Sequence, residues 1–388
     1  MAAARYEALG AYARERMCSQ LAVSGSASEA IEEAKRFLDP NALTLGFARR
    51  FTAYKRLNLL LHNPERLIRL LSNAERPMQL ILAGKAHPAD RPGHDLIQQW
   101  IRFCQRPEMR SRVIFLTDYD MQLAERLVQG IDVWLNTPQR PWEACGTSGM
   151  KVLVNGGINF SELDGWWAEA CNPKVGWALG DGREHGDDPS WDATEANALY
   201  DRLEHEIIPE FYDRDKQGMP SGWIGRVRES MAQLAPRFSA SRAVRDYTEQ
   251  HYLPAAQAFR HRAANRGAAG VALINWQRNV EQKWAALCFG EVKMETRGEQ
   301  HVCEVQLRLN DLDPSSVQVE IYADGTNSGA PVKQSMTCAG PIAGMSGFFL
   351  YRAVVPSSRP ITDYTARVMP HSEGISIPLE NTKILWQR

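Results

Sequence analysis

Hydrophobic positions recur along this chain with two periods. From Phe51 to Asn136, short β-prone runs alternate with stretches of helical period. The runs are MQLILAG (Met78 to Gly84), RVIFL (Arg112 to Leu116) and IDVWLN (Ile131 to Asn136), and the helical stretches include FTAYKRLNLLL and MQLAERLVQG. Strands that are apolar throughout and separated by helices predict a parallel sheet covered on both faces. Ahead of it, Ala3 to Leu21 is rich in helix formers, and Ser26-Ala27-Ser28-Glu29 has capping-box spacing before AIEEAKRFL, which stops at Asp39-Pro40. The helical pattern returns over Thr194 to Phe211, Gly222 to Met231 and Ser241 to about Ala264, and ANRGAAG (Ala264 to Gly270) reads as a hinge.

From Gly290 the period changes to two. Cys303, Val305, Leu307 and Leu309 alternate with Glu304, Gln306 and Arg308, and Val317, Val319 and Ile321 alternate with Gln318 and Glu320. With turns at NDLDPSS and ADGTNSG, this predicts a small antiparallel sandwich. The expected organisation is N-terminal helices over 1–40, a Rossmann-like α/β region with trailing helices over 41–289, and a β-sandwich-like module over 290–388.

Composition narrows the function classes. The 388 residues are 44% hydrophobic and 23% charged, which is ordinary globular composition. Lys and Arg (45) against Asp and Glu (46) leave a net charge of −1, too small a field to hold nucleic acid or an anionic membrane, so any anion must be bound locally. Charges at Arg5, Glu7, Arg14 and Glu15 interrupt any signal-peptide pattern, and no apolar run approaches the ~20 residues of a bilayer span. Seven cysteines without a CxxC pair signal neither disulfide framework nor zinc site, and the nine histidines show no paired-ligand spacing. A cytoplasmic protein without a metal is expected.

The stretch PWEACGTSGMKVLVNGG, Pro141 to Gly157, follows a predicted strand, and GTSGM should open a helix. Consecutive amides and a helix N-terminus would then face the carboxyl end of a parallel sheet, a natural place for a phosphate, although glycines there also serve tight packing alone. Glu143 and Lys151 bracket this turn. The carboxylate suits a sugar hydroxyl and the amine an ionic or covalent bond, while a solvated surface pair is the plainer alternative. In ARRFTAYKR (Ala48 to Arg56), Arg50 and Lys55 form a second candidate, an oxyanion clamp, again with a solvated helix face as the alternative. Trp166, Trp167, Trp177 and Trp191 suit sugar stacking, but core or lid packing is the favoured reading.

Taken together, Arg50 with Tyr54-Lys55, then RVIFLTDYDMQLAERL, EACGTSGMK and LDGWWAE (Leu163 to Glu169) resemble the C-terminal catalytic half of the glycogen/starch/maltodextrin α-glucan phosphorylases, in particular the bacterial and archaeal branch. The likeness runs from about Leu43 to the C-terminal ILWQR. Cys145 stands where serine is common, Thr52 where the animal and plant branch has histidine, and Asp120 where that branch has arginine; the last two are usual for the bacterial branch.

The resemblance implies one Rossmann half of a two-Rossmann glycosyltransferase fold and a pyridoxal 5'-phosphate enzyme that phosphorolyses α-1,4-glucan to glucose 1-phosphate. By motif position, Lys151 would bind the cofactor covalently, Thr147 and Ser148 would receive its phosphate, and Arg49 would lie beside it. Arg50 and Lys55 would hold the substrate phosphate. Tyr54, Glu143, Cys145 and Gly146 would line the glucose. Because family members place the site between two halves, the chain reads as one wall of a cleft. It is expected to be inactive without an N-terminal half, and to associate with that half or with itself. Two other readings stay open. One is a nucleotide-sugar glycosyltransferase of the same architecture, where a second carboxylate commonly occupies the place of Lys151. The other is a non-catalytic half that binds glucan or a partner chain.

Overall fold

The computed structural model describes residues 2–325 and 329–387, with residues 2–5 described by their backbone alone. The turn predicted at ADGTNSG includes 326–328 and so lies partly outside the described residues. The chain forms two compact units, Met1–Val244 and Arg245–Arg388.

In the first unit, the three apolar runs become β2 (Met78–Ala83), β3 (Val113–Leu116) and β4 (Val133–Asn136), and β1 (Leu43–Ala48), β5 (Ile158–Glu162) and β6 (Gly176–Leu179) complete the sheet. They pair in parallel in the order β3-β2-β1-β4-β5-β6. Helices α1 (Ala2–Val23), α2 (Ser28–Ala34), α3 (Pro64–Leu71), α4 (Arg91–Cys104), α5 (Met121–Gly130), α6 (Thr147–Val154) and α7 (Gly165–Ala170) follow in chain order, then α8 (Pro189–Arg202), α9 (Ile208–Tyr212) and α10 (Ser221–Arg237).

The strand alternation divides two cores. Leu45, Phe47, Leu80, Leu82, Val133 and Leu135 enter one with Trp100 of α4 and Leu199 and Tyr200 of α8. Ile81, Ala83, Ile114, Leu116 and Trp134 enter the other with Leu9 and Ala13 of α1, Leu123 and Leu127 of α5, and Val152 of α6. Both faces are therefore covered, as the uninterrupted apolar strands predict. At the sheet edge, the Gln20 side chain of α1 donates to the Phe115 carbonyl of β3 at 3.1 Å and accepts from the Thr117 N–H at 2.9 Å.

Three local expectations are corrected. FTAYKRLNLLL forms no α-helix: it folds as two short 3-10 turns, Ala53–Lys55 and Leu57–Leu61, broken at Arg56, whose φ of 44° is left-handed. The capping box at Ser26 is not formed. Ser26 Oγ lies 3.1 Å from Ser24 Oγ, and α2 starts after Ala27 without a side-chain cap. The stretch predicted from Thr194 begins earlier, at Pro189, because the Asp188 side chain caps α8 through the Ser190 N–H.

The second unit holds α12 (Leu253–Lys283), while α11 (Ala240–Tyr247) crosses the unit boundary. Ala264 to Gly267 leave helical geometry within α12, at the place read as a hinge. Strands β7 (Cys288–Arg297), β8 (Gln300–Arg308), β9 (Val317–Ala323), β10 (Val332–Ser335), β11 (Thr337–Pro341), β12 (Phe348–Pro356), β13 (Thr365–Pro370) and β14 (Leu385–Trp386) follow. They form two antiparallel sheets, β10-β9-β13-β14 and β11-β12-β8-β7. Their shared core includes Val305, Leu307, Val319, Ile321 and Val368, and it also takes in Val280 of α12. That helix thus groups with the sandwich, and the units divide at 244/245, whereas the change of sequence period falls near 290.

Asp132, between α5 and β4, is buried and accepts the Thr44 N–H at 2.8 Å. Burial pushes its carboxyl up to about 7, against the lowering effect of hydrogen bonds from Tyr6 of α1 and from Thr44. The unfolded chain releases this proton near the ordinary value of 3.8, and the folded chain keeps it to about 7, so folding loses stability as pH rises across that window. Asp132→Asn, which keeps an acceptor for Thr44, should remove this slope. Urea midpoints of the two proteins at about pH 5 and about pH 8 are the check.

Candidate functional site

The order β3-β2-β1-β4-β5-β6 reverses direction between β1 and β4, and open α/β sheets bind ligands at the carboxyl ends of strands flanking such a switch point. Here those ends carry Arg49 to Arg56 after β1, and Thr137 to Gly146 after β4. The path of the first segment is tightly fixed. Arg49 donates its N–H to the Ala83 carbonyl at 3.0 Å and Phe51 to Lys85 at 2.9 Å. A Cβ on Gly84 would come within 2.1 Å of the Arg49 carbonyl oxygen, so a side chain there is excluded.

The second segment is fastened to the turn before α7. Glu143 donates its N–H to Asp164 Oδ2 at 2.8 Å, and Trp166 donates to the Cys145 carbonyl at 2.9 Å. Gly146, with φ at 84°, then opens α6, which has no side-chain cap. Glycine suits this left-handed position.

The charged side chains of the two segments meet at one atom. Glu143 Oε2 accepts from Lys55 Nζ at 2.5 Å and from Arg49 Nη1 at 3.2 Å. All three residues are 9% exposed. The side chains in contact thus set two positive charges against one negative, and Arg49 Nε is buried without a hydrogen-bond partner. Burial pulls the Arg49 guanidinium below its usual range, against the opposing pull of Glu143. The Lys55 ammonium also lies 4.7 Å from the centre of the Tyr54 ring, and Tyr54 neighbours exposed Trp142 with ring centres 6.5 Å apart.

The remaining predicted residues lie around this point. Glu143 rests against the helix start, since its Cγ and Oε1 are 3.6 Å from where a Cβ on Gly146 would be. Thr147 and Cys145 are exposed, and Ser148 is half-buried with its Oγ accepting from Trp134 Nε1 at 3.2 Å. Lys151 is exposed, while the next two residues of its apolar flank, Val152 and Leu153, are buried. Neither Lys151 nor Arg50 has a side-chain hydrogen bond or ion pair among the described residues. Arg50 faces solvent and does not join the buried group, which instead unites Arg49, Lys55 and Glu143. Adjacent residues leaving a strand point to opposite sides, which separates Arg49 from Arg50.

Trp166, Trp167 and Trp177 are buried in the cores. Trp191 is half-buried and stacks on His185, with centres 3.6 Å apart. Sequence reasoning passed over Asp164, which fixes Glu143, and Arg56 and Thr137 behind Lys55; no spacing marks any of them. Asp201, Glu204 and His205 are close enough together for a metal ion, but Arg66 pairs with both carboxylates, at 2.5 Å and 2.6 Å.

The comparisons with known proteins point the same way. The sequence profile of the carbohydrate phosphorylase family matches residues 24–176. The chain is 43% identical over 342 residues to the glycogen phosphorylase of Mycobacterium tuberculosis, covering 86% of this chain and 40% of that protein. It is 47% identical over 216 residues to the glycogen phosphorylase of Aquifex aeolicus, covering 56% and 31%. To the maltodextrin phosphorylase of Thermococcus litoralis it is 35% identical over 351 residues, covering 89% and 41%. This is a phosphorylase-family protein. The family is one of glycosyltransferase-type enzymes, and the chain matches about two fifths of the length of the Mycobacterium and Thermococcus relatives and about a third of the Aquifex one.

In this phosphorylase-family chain, Glu143 is the anion that lets Arg49 and Lys55 be buried together. Glu143→Ala leaves both cations unpaired and should destabilise the first unit by about 3–5 kcal/mol, the scale for breaking a buried ion pair from one side. Denaturant unfolding followed by tryptophan fluorescence measures it, with the slope in denaturant unchanged.

Proposed function

We propose that this chain carries the phosphate-binding wall of an α-glucan phosphorylase, which transfers the terminal glucose of an α-1,4-glucan to inorganic phosphate. One observation carries this reading: two buried cations share one carboxylate oxygen beside an uncapped helix start at the switch point of the sheet. Such a place is short of negative charge, and a phosphate supplies it.

Pyridoxal phosphate fits the same residues. The orphaned Arg49 Nε and the uncapped first turn of α6 suit its phosphate, and the unpaired Lys151 amine, one turn into that helix, suits a covalent bond to it. Thr147 and Ser148 then receive the phosphate with Arg49 beside it. When bound, the cofactor supplies a phosphate able to exchange a proton with the substrate phosphate.

The chain's own residues do the rest. Arg50 and Lys55 grip the incoming phosphate, Arg50 through its planar fork and Lys55 as a point charge. Tyr54, Glu143, Cys145 and Gly146 line the glucose, with Glu143 accepting from a sugar hydroxyl. The phosphate dianion so held meets the positive charge that develops at the anomeric carbon. Such a transition state needs a site closed to water. Arg50, Trp142, Cys145, Thr147 and Lys151 are all exposed, which supports an opposing wall from an N-terminal phosphorylase half. The reducing cytoplasm is the compartment we assign, in keeping with seven free cysteines and with no described helix long and apolar enough to cross a membrane.

Two measurements test the proposal. Borohydride reduction in the presence of pyridoxal phosphate, followed by peptide mass spectrometry, should place the label on Lys151 and lose it in Lys151→Ala. Labelling that persists in the variant would end the cofactor assignment. In assays of maltodextrin with phosphate, glucose 1-phosphate should form when an N-terminal half from a relative is added and not from the purified chain alone. In that mixture Arg50→Ala should lower turnover by about 10² to 10⁴, the scale of a lost electrostatic transition-state contact. Full activity of the chain alone would refute the open-wall argument.

A further inference from the structure

Behind the anion site lies a second buried charge group. Arg56 is 6% exposed and holds a left-handed conformation, with φ at 44° and ψ at 46°. A non-glycine residue adopts this only where its surroundings over-determine it. Here they do. Arg56 donates from Nε to the Thr137 carbonyl at 3.2 Å and from Nη2 to the Pro138 carbonyl at 2.9 Å. It also pairs with Glu162 at 3.2 Å, with Asp192 at 2.8 Å and with Glu195. From the other side, the Thr137 hydroxyl lies 3.1 Å from the carbonyls of both Lys55 and Arg56.

The backbone that carries Lys55 is therefore tied to the end of β4 from two directions. Glu162 and Glu195 are 3% and 2% exposed. Burial, followed by its hydrogen bond and proximity to Glu195, pushes the Glu162 carboxyl well above the usual carboxylate range, against the opposing pull of Arg56. Buried ion networks of this kind add little net stability over apolar side chains of equal volume, and their best-attested use is to fix geometry.

We infer that Arg56 is a positioning residue for Lys55: it locks the turn from which the Lys55 ammonium reaches Glu143 and the anion. The inference deepens the proposed function and rests on its assignment of Lys55 to the substrate phosphate. Arg56 touches no reacting atom. It removes the alternative α-helical course of FTAYKRLNLLL, which would carry Lys55 on a different heading.

The positioning claim is tested on this chain without turnover. Acylation of Lys55 by an amine-selective reagent, read by peptide mass spectrometry against exposed Lys174, reports how firmly the ammonium is held. Arg56→Gln should speed it by about tenfold, the scale of a lost charged hydrogen bond, and Thr137→Val by about fivefold. If Arg56→Gln does not fold, Thr137→Val decides alone. Unchanged protection of Lys55 in every variant that folds overturns the inference.

The functional arm uses the chain assembled with an N-terminal half. Arg56→Gln should raise the KM for phosphate by about tenfold with the KM for maltodextrin unchanged, and should add nothing to Lys55→Ala. Equal effects on both constants, or full additivity, would mean a merely structural role and overturn it. If Lys55→Ala itself leaves the phosphate KM untouched, the phosphate assignment fails, and the acylation rates still decide the positioning.

Discussion

Two cations converge on a single oxygen of Glu143, and this contact is one of those that join the loop after β1 to the loop after β4. These loops leave neighbouring strands at the switch point of the sheet, so without a contact between them they would diverge over its two faces. The carboxylate allows Arg49 and Lys55 to be buried, and their excess of positive charge is what the proposed function takes as the attraction for an anion. On the proposed function, stability and binding draw on the same atoms, and a phosphate arriving there would relieve an imbalance that folding has already created.

The supports of this contact are graded by distance. Asp164 holds the Glu143 backbone, Gly84 lets the Arg49 carbonyl pass, and Arg56 with Thr137 sets the turn under Lys55. Each is a backbone restraint, so the functional side chains inherit their directions from the ends of the strands. Sites built this way hold their geometry better than sites carried on free loops.

The parallel sheet was legible from β2, β3 and β4, whose runs are mostly apolar and bounded by turns, and the sandwich because its period is two. What was not legible is instructive. FTAYKRLNLLL has helical period, but the residues that break it, Thr137 and Glu195, lie 81 and 139 positions from Arg56 in sequence. No local pattern can report a restraint from so far away. The capping box at Ser26 failed for the opposite reason, since Ser24, two residues off, took up its hydroxyl. Around the site, motif likeness named Arg49, Lys55 and Glu143 separately. It paired Lys55 with Arg50, whereas the fold buries Lys55 with Arg49 and leaves Arg50 outside.

The amide of Gln20 has a consequence for how copies of this protein can meet. A strand at the rim of a sheet offers its free carbonyls and N–H groups to any passing chain, and rim-to-rim pairing is a common route to aggregates. At β3 the Gln20 side chain takes up the Phe115 carbonyl and the Thr117 N–H, as an incoming strand would. One side chain on a helix thereby stands in for a neighbouring strand, and growth of the sheet in that direction is blocked at the cost of a single half-buried amide.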